Sequence, residues 1–335
     1  MNEIKKSDGG RREASGRIAY FTDLEPELAD FREAVLTGLA ATPKVLPAKF
    51  FYDEEGSHLF NAICETEDYY VTRTELSIFE AAAADIAARV GPDAVIVEYG
   101  CGSAVKIKTL LGILDNPAEY VGIDISREHL LFTIEEIADE FPDLRIGGVC
   151  ADFVGGFKFP PEAGEGDGTW LGFFPGSTIG NQTPDEAVDL LGHIHDQLAG
   201  GGALLMGVDL RKDEAVLRRA YNDSEGVTAA FNLNVLHRIN RELGAEIDVD
   251  GFSHEAVYNS DKGRVEMHLR ADRAQDVAIG DQIFSFAEGE TIHTENSYKF
   301  TLDQFRDIAN RAGFEVEAVW TDPKNWFSVQ YLTAV

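Results

Sequence analysis

Residues 94–102, AVIVEYGCG, are a short apolar run that closes on Gly-Cys-Gly directly ahead of a helical pattern. Such a run has the character of a strand buried on both faces, and those strands belong to parallel sheets covered by helices. The unit then recurs. YVGIDIS (120–126), RIGGVCADF (145–153), TWLGFFPGSTIGN (169–181) and GGALLMGVDL (201–210) read as further strands, separated by helical stretches at 104–114, 127–141 and 183–198. Strand alternating with helix predicts a doubly wound sheet of about five parallel strands with right-handed crossovers. The last of those helices carries its own start signal, Thr183 as N-cap and Pro184 in the first position.

Residues 210–285 break the rhythm. A long helical stretch is followed by FSHEAVYNS and GRVEMHLRADRAQDV, the pattern of a hairpin, and then by a helix from 301 and a terminal strand pair around Pro323. The expected fold class is α/β, a Rossmann-like sheet with an inserted α+β subdomain. We expect residues 18–73 with 210–299 to form the subdomain, and 74–209 with 300–335 the sheet domain. Helical spacing also runs through 24–39 and 77–90, while polar, Gly-rich 1–17 reads as a disordered tail.

Charge narrows the partners. With 29 Lys and Arg against 59 Asp and Glu the net charge is −30, which repels phosphate backbones and anionic lipid. Nucleic acid and membrane surfaces are therefore poor partners. Without a membrane-length apolar run or an apolar leader, the chain reads as soluble and cytoplasmic. Cys64, Cys101 and Cys150 form no C-x-x-C pair, and His193 and His195 would point apart on a helix, so no disulfide or metal site is expected.

Three segments carry chemistry. At Glu98-Tyr-Gly-Cys-Gly-Ser103 the glycines Gly100 and Gly102 let the backbone approach a ligand, and Asp124, at the next strand's tip, suits a ribose hydroxyl pair. Val105 stands where a dinucleotide fingerprint has its third glycine. With Asp152 and Phe153 after the third strand, placed for an adenine amine and ring, the set points to S-adenosylmethionine. The second segment is Gly176-Ser-Thr-Ile-Gly-Asn181, a small-residue loop on the same sheet edge whose Asn181 amide suits an amino or carboxylate group. The third is Thr294–Lys299, where alternation puts Glu295 and Ser297 on one face, a carboxylate and a hydroxyl able to grip both nitrogens of an imidazole. The bland reading of that stretch is a solvated edge strand. Phe51, Tyr52, Phe60, Tyr69 and Tyr70 are core by default, though so many tyrosines also suit a cationic amine.

Taken together, FFYDEEGSHLF, YYVTRTE, EYGCGSAVKIKTLL, GSTIGNQTP, RAYNDSEGVTAAFN, RVEMHLRA and TENSYKF resemble the histidine-specific, S-adenosylmethionine-dependent methyltransferases that make hercynine on the route to ergothioneine. The resemblance runs from about Leu46 to the C-terminus. It implies Gly100, Gly102 and Lys106 at the cofactor's methionine end, Asp124 at its ribose, and Asp152 with Phe153 at its adenine. For histidine it implies Asn181 and Tyr221 at the α-carboxylate, Tyr69 near the imidazole and Tyr52 close to the amine. Glu295 and Ser297 would hold the ring nitrogens and Met267 line the wall, with Phe60, Gly176 and Thr228 completing the cavity.

Methyl transfer needs a neutral amine delivered in line and water kept out, rather than a strong nucleophile on the protein. Tyr52 and Asn181 are therefore the expected catalytic pair, steering the amine lone pair through three rounds while protons leave to solvent. The expected ligands are S-adenosylmethionine, its product S-adenosylhomocysteine, and L-histidine with its mono- and dimethylated forms. A monomer is expected. Competing readings are an N-methyltransferase for an indole substrate, a silent cofactor-binding module, and an NAD-linked dehydrogenase. A larger apolar ring would favour other residues at 295 and 267, and the loop spacing disfavours NAD.

Overall fold

The computed structural model describes residues 17–24, 31–164, 168–198 and 201–335. Most of the expected N-terminal tail, and the first part of the helical pattern at 24–39, lie outside the described residues. Strand β1 (Tyr20–Asp23), helix α1 (Phe31–Ala40) and the two-residue β2 (Lys44–Val45) lead into α2 (Glu54–Glu65) and α3 (Val71–Val90). The alternating part comes next as β3 (Val95–Tyr99), α4 (Val105–Ile113), β4 (Glu119–Asp124), α5 (Arg127–Glu140), β5 (Arg145–Cys150), β6 (Trp170–Phe174), α6 (Pro184–Leu198) and β7 (Ala203–Asp209). Helices α7 (Glu214–Tyr221) and α8 (Val227–Leu243) precede β8 (Phe252–Asn259), β9 (Arg264–Ala271), β10 (Gln275–Ile279), β11 (Gln282–Phe286) and β12 (Thr291–Tyr298). The chain closes with α9 (Leu302–Arg311), β13 (Phe314–Thr321) and β14 (Phe327–Ala334).

The large sheet has the order β1-β5-β4-β3-β6-β7-β14-β13. Its strands from β1 to β7 run parallel, β14 pairs antiparallel with β7, and β13 pairs antiparallel with β14. All five residues of β3 and all seven of β7 are buried, as their largely apolar runs require, with Glu98 and Asp209 buried among them. Strand order reverses beside β3, so the loops after β3 and β6 open next to each other at the sheet's carboxyl edge, where ligands of open α/β sheets collect.

One strand falls outside its expected body. β1, grouped by sequence with the subdomain, pairs with β5 in the large sheet. Glycines make room for it: a Cβ on Gly147 would stand 2.1 Å from the Tyr20 ring, and one on Gly148 2.9 Å from Phe21. Tyr20 then donates to the buried Glu119 carboxylate at 2.8 Å.

The second sheet has the order β2-β12-β9-β8. The expected hairpin is β8 with β9, and β12 adds to β9 antiparallel, with Glu295 opposite Met267. The two sheets meet through the turn at 178–181. A Cβ on Gly180 would lie 2.8 Å from the Tyr298 carbonyl, so its absence lets that turn lie flat against β12.

Candidate active site

One cavity gathers residues from five stretches of chain. Tyr52, Phe60, Tyr69, Gly176, Asn181, Tyr221, Thr228, Met267, Glu295 and Ser297 all line it, and these are the ten positions expected to meet the amino acid. Asn181 is left to face it because Thr183 does the capping of α6, exchanging hydrogen bonds with Glu186.

The residue after Tyr52 fixes its place. Asp53 caps α2, accepting from the Gly56 N–H at 2.8 Å, and the same carboxylate accepts from Asn234 of α8 at 2.7 Å. This ties the start of α2 to α8 and holds the Tyr52 ring 5.7 Å from both Phe60 and Phe231. Burial pushes the phenols of Tyr52 and Tyr69 well above their ordinary range, with neighbouring acidic groups adding to it, so both stay neutral.

Glu295 reaches the cavity through a β-bulge. The register of β12 on β9 slips between His293 and Glu295, and the intervening Thr294 is pinned by hydrogen bonds to Asn232 (2.8 Å) and the Met267 carbonyl (3.1 Å). Bulges re-aim side chains in this way beside active sites. Burial pushes the Glu295 carboxyl up to about 7, against the pull of the Lys299 ammonium.

Three polar residues that sequence reasoning passed over support the cavity. Lys299, 1% exposed, lies 2.8 Å from the Asp209 carboxylate at the end of β7. Its alternation with Glu295 and Ser297 was the available signal. Asp209 also accepts from Tyr70 at 2.7 Å and pairs with Lys212. Burial works against its charge, yet the two ammoniums hold the Asp209 carboxyl below its ordinary range. Glu75, fully buried on α3, accepts from the Gly176 N–H at 3.0 Å and meets the Lys106 ammonium at 2.8 Å. No motif marks its role.

The expected cofactor residues line the edge beside this cavity, and their chemistry fits the group. Gly100 has φ +83°, and a Cβ there would come to 3.6 Å of the Phe153 ring, whereas one on Gly102 would meet nothing within 4 Å. A bare backbone trough with a ring at one end suits a nucleoside thioether. The Asp124 carboxylate accepts from the Ser126 N–H at 2.8 Å, and burial pushes its carboxyl up to about 6. Asp152 accepts from the Val154 N–H at 3.1 Å and stands 3.4 Å from the Lys49 ammonium, with Phe153 edge-on to Phe174. Lys106 differs from expectation in one respect: its charge is already paired with Glu75, which leaves only its remaining donors for any ligand. A wider cleft of about 750 Å³ runs from Phe132 and His129 to Lys49 and shares Tyr52 with the cavity. Among the described residues no cluster of His, Cys, Asp and Glu could hold a metal ion, and no helix is long and apolar enough to cross a membrane.

The chain is similar to known proteins along most of its length. Residues 31–334 match the family described as histidine-specific methyltransferase, SAM-dependent. The histidine N-alpha-methyltransferase of Mycolicibacterium smegmatis is 41% identical over 317 residues, covering 93% of this chain and 97% of that protein. Its namesake from Mycobacterium tuberculosis is 40% identical, covering 89% and 93%. Ergothioneine biosynthesis protein 1 of Neurospora crassa is 29% identical over 83% of this chain, which corresponds to 32% of that larger protein. This chain belongs to the histidine-specific, S-adenosylmethionine-dependent methyltransferases.

Proposed function

We infer that this protein transfers three methyl groups from S-adenosylmethionine to the α-amino group of L-histidine, giving hercynine for ergothioneine biosynthesis. The observation that carries the reading is the cavity itself, whose lining joins a carboxylate and a hydroxyl, Glu295 and Ser297, to the Asn181 amide beside the cofactor edge. Asn181 and Tyr221 take the α-carboxylate, and Glu295 and Ser297 the ring nitrogens. Met267, Phe60, Tyr69, Gly176 and Thr228 shape the walls. The part of the chain formed by 18–73 and 210–299, without β1, serves as the substrate-binding subdomain of a cytoplasmic monomer.

Gly100, Gly102, Lys106, Asp124, Asp152 and Phe153 would hold the cofactor, which when bound supplies a methyl group on a positively charged sulfur and departs as S-adenosylhomocysteine. The chain's own residues have a positioning task. Tyr52 and Asn181 orient the amine lone pair, and Tyr52 does so as a neutral phenol because burial forbids its ionisation. Protons leave through solvent at each round. The mono- and dimethylated amines remain in place while tyrosine rings face the growing positive charge.

Incubation with S-adenosylmethionine and each common amino acid, read by mass, tests the reading. Gain of three methyl groups on histidine alone is the expected result. Methylation of tryptophan instead, or no product despite cofactor binding, would overturn it.

A further inference from the structure

Behind the cavity the Lys299 ammonium has three N–H bonds and three partners. It lies 2.8 Å from Asp209 Oδ2, 3.0 Å from the Tyr221 hydroxyl and 2.7 Å from Ser297 Oγ. The two hydroxyls are themselves 2.7 Å apart. Lys299 and Asp209 are almost fully buried, at 1% and 0% exposure, so neither has water to fall back on. Asp209 is gripped from three sides, by Tyr70, Lys212 and Lys299, and its own N–H donates to Ser177 in the loop that carries Asn181. The position of Lys299 is thus set by a charge network that reaches both the β7 end and the substrate loop.

Each hydroxyl has one proton and already accepts from Lys299. One of the two protons lies between Tyr221 and Ser297. A single hydroxyl proton is left to face the cavity. On the proposed function, which this inference rests on, Tyr221 gives its proton to the substrate carboxylate. Ser297 must then donate to Tyr221, and it meets the substrate ring with a lone pair only.

We propose that Lys299, anchored by Asp209, is a positioning residue that makes Ser297 an obligate acceptor, so that the pocket selects a substrate ring presenting an N–H at that point. Glu295 then takes the other ring nitrogen. The lysine touches no reacting atom, and its effect on specificity passes entirely through the two hydroxyls.

Two measurements test this. The first is Lys299→Met, made alone and in a Ser297→Ala background, with histidine kinetics and S-adenosylhomocysteine affinity determined for each. The proposal expects the Michaelis constant for histidine to rise at least about tenfold in Lys299→Met with cofactor affinity unchanged, and the rise to shrink to about twofold or less once Ser297 is gone, because residues acting through one another are non-additive. An unchanged Michaelis constant, or the same rise in both backgrounds, would overturn it. The second uses the unaltered protein, so it stands even if the variant does not fold. Histidine labelled with ¹⁵N in the ring is bound together with S-adenosylhomocysteine, and the nitrogen nearest the Ser297 Hβ protons is expected to carry a proton across the neutral pH range. A bare nitrogen there refutes the proposal. Failure of the wild-type protein to methylate histidine would instead count against the function it rests on, and so the two failures are distinguishable.

Discussion

Replacing Glu295 by glutamine should make the free protein more stable, and by an amount that depends on pH. Burial lifts the Glu295 carboxyl from 4.5 to about 7. The folded state therefore favours the protonated form, and its advantage is full below pH 4.5 and lost as pH rises through about 7. The gap corresponds to about 3 kcal/mol of folding free energy at about pH 8.5 and under about 1 kcal/mol at about pH 5. Glutamine keeps the shape and has no charge to bury. With roughly 2 °C per kcal/mol for a domain of this size, Glu295→Gln should raise the melting temperature by about 6 °C at the higher pH and by about 2 °C or less at the lower. Thermal unfolding of both proteins without ligands at the two pH values is the assay. No gain at the higher pH, or an equal gain at both, would refute the argument that this carboxylate is held in the pocket against its own solvation.

Other substitutions address binding. Glu295→Ala should raise the Michaelis constant for histidine by at least about tenfold, since a hydrogen bond to a charged group contributes about 1.5–3 kcal/mol, with steady-state kinetics at saturating cofactor as the check. Asp124→Asn should weaken S-adenosylhomocysteine binding by about tenfold in calorimetry and, because burial pushes that carboxyl up to about 6, should raise the melting temperature of the ligand-free protein above that pH. Tyr52→Phe should slow each methylation step in single-turnover mass measurements without changing cofactor affinity; unchanged rates would remove it from the catalytic pair. Gly180→Ala puts a Cβ 2.8 Å from the Tyr298 carbonyl, so it should displace the Asn181 loop and raise the Michaelis constant for histidine more than that for the cofactor.

The parallel sheet was legible because burial on both faces writes a continuous apolar run, and glycine marks where each strand must turn. Period-two alternation likewise put Glu295 and Ser297 on one face, and β12 keeps them there. β1 was missed for a physical reason: four residues at a sheet edge, half-exposed, carry no periodicity, and the space they occupy is recorded in Gly147 and Gly148, far along the chain. The role of Glu75, at the end of the segment YYVTRTE, was invisible for a related reason. A lone carboxylate on a long helix looks like any solvent-facing charge until the fold brings Lys106 and the Gly176 amide to it. The bulge at Thr294 depends on Asn232, 62 residues earlier, which no local pattern announces.

The cavity draws on two different sheets, and that separation bears on how such a protein changes. Asn181 and Gly176 stand on a loop of the parallel sheet, next to the glycine turn of β3, where on the proposed function they would meet the part common to every amino acid. Met267, Glu295 and Ser297 stand on β9 and β12 of the other sheet and, on the proposed function, would meet the side chain. A mutation at Met267 or Glu295, which spares the Ser297 link to Tyr221 and Lys299, can alter which ring is accepted while the geometry around the amine stays as it was. Selection for a new substrate can thereby begin with a few codons within one short stretch, 264–299, before the walls at Phe60, Tyr69 and Thr228 need to follow.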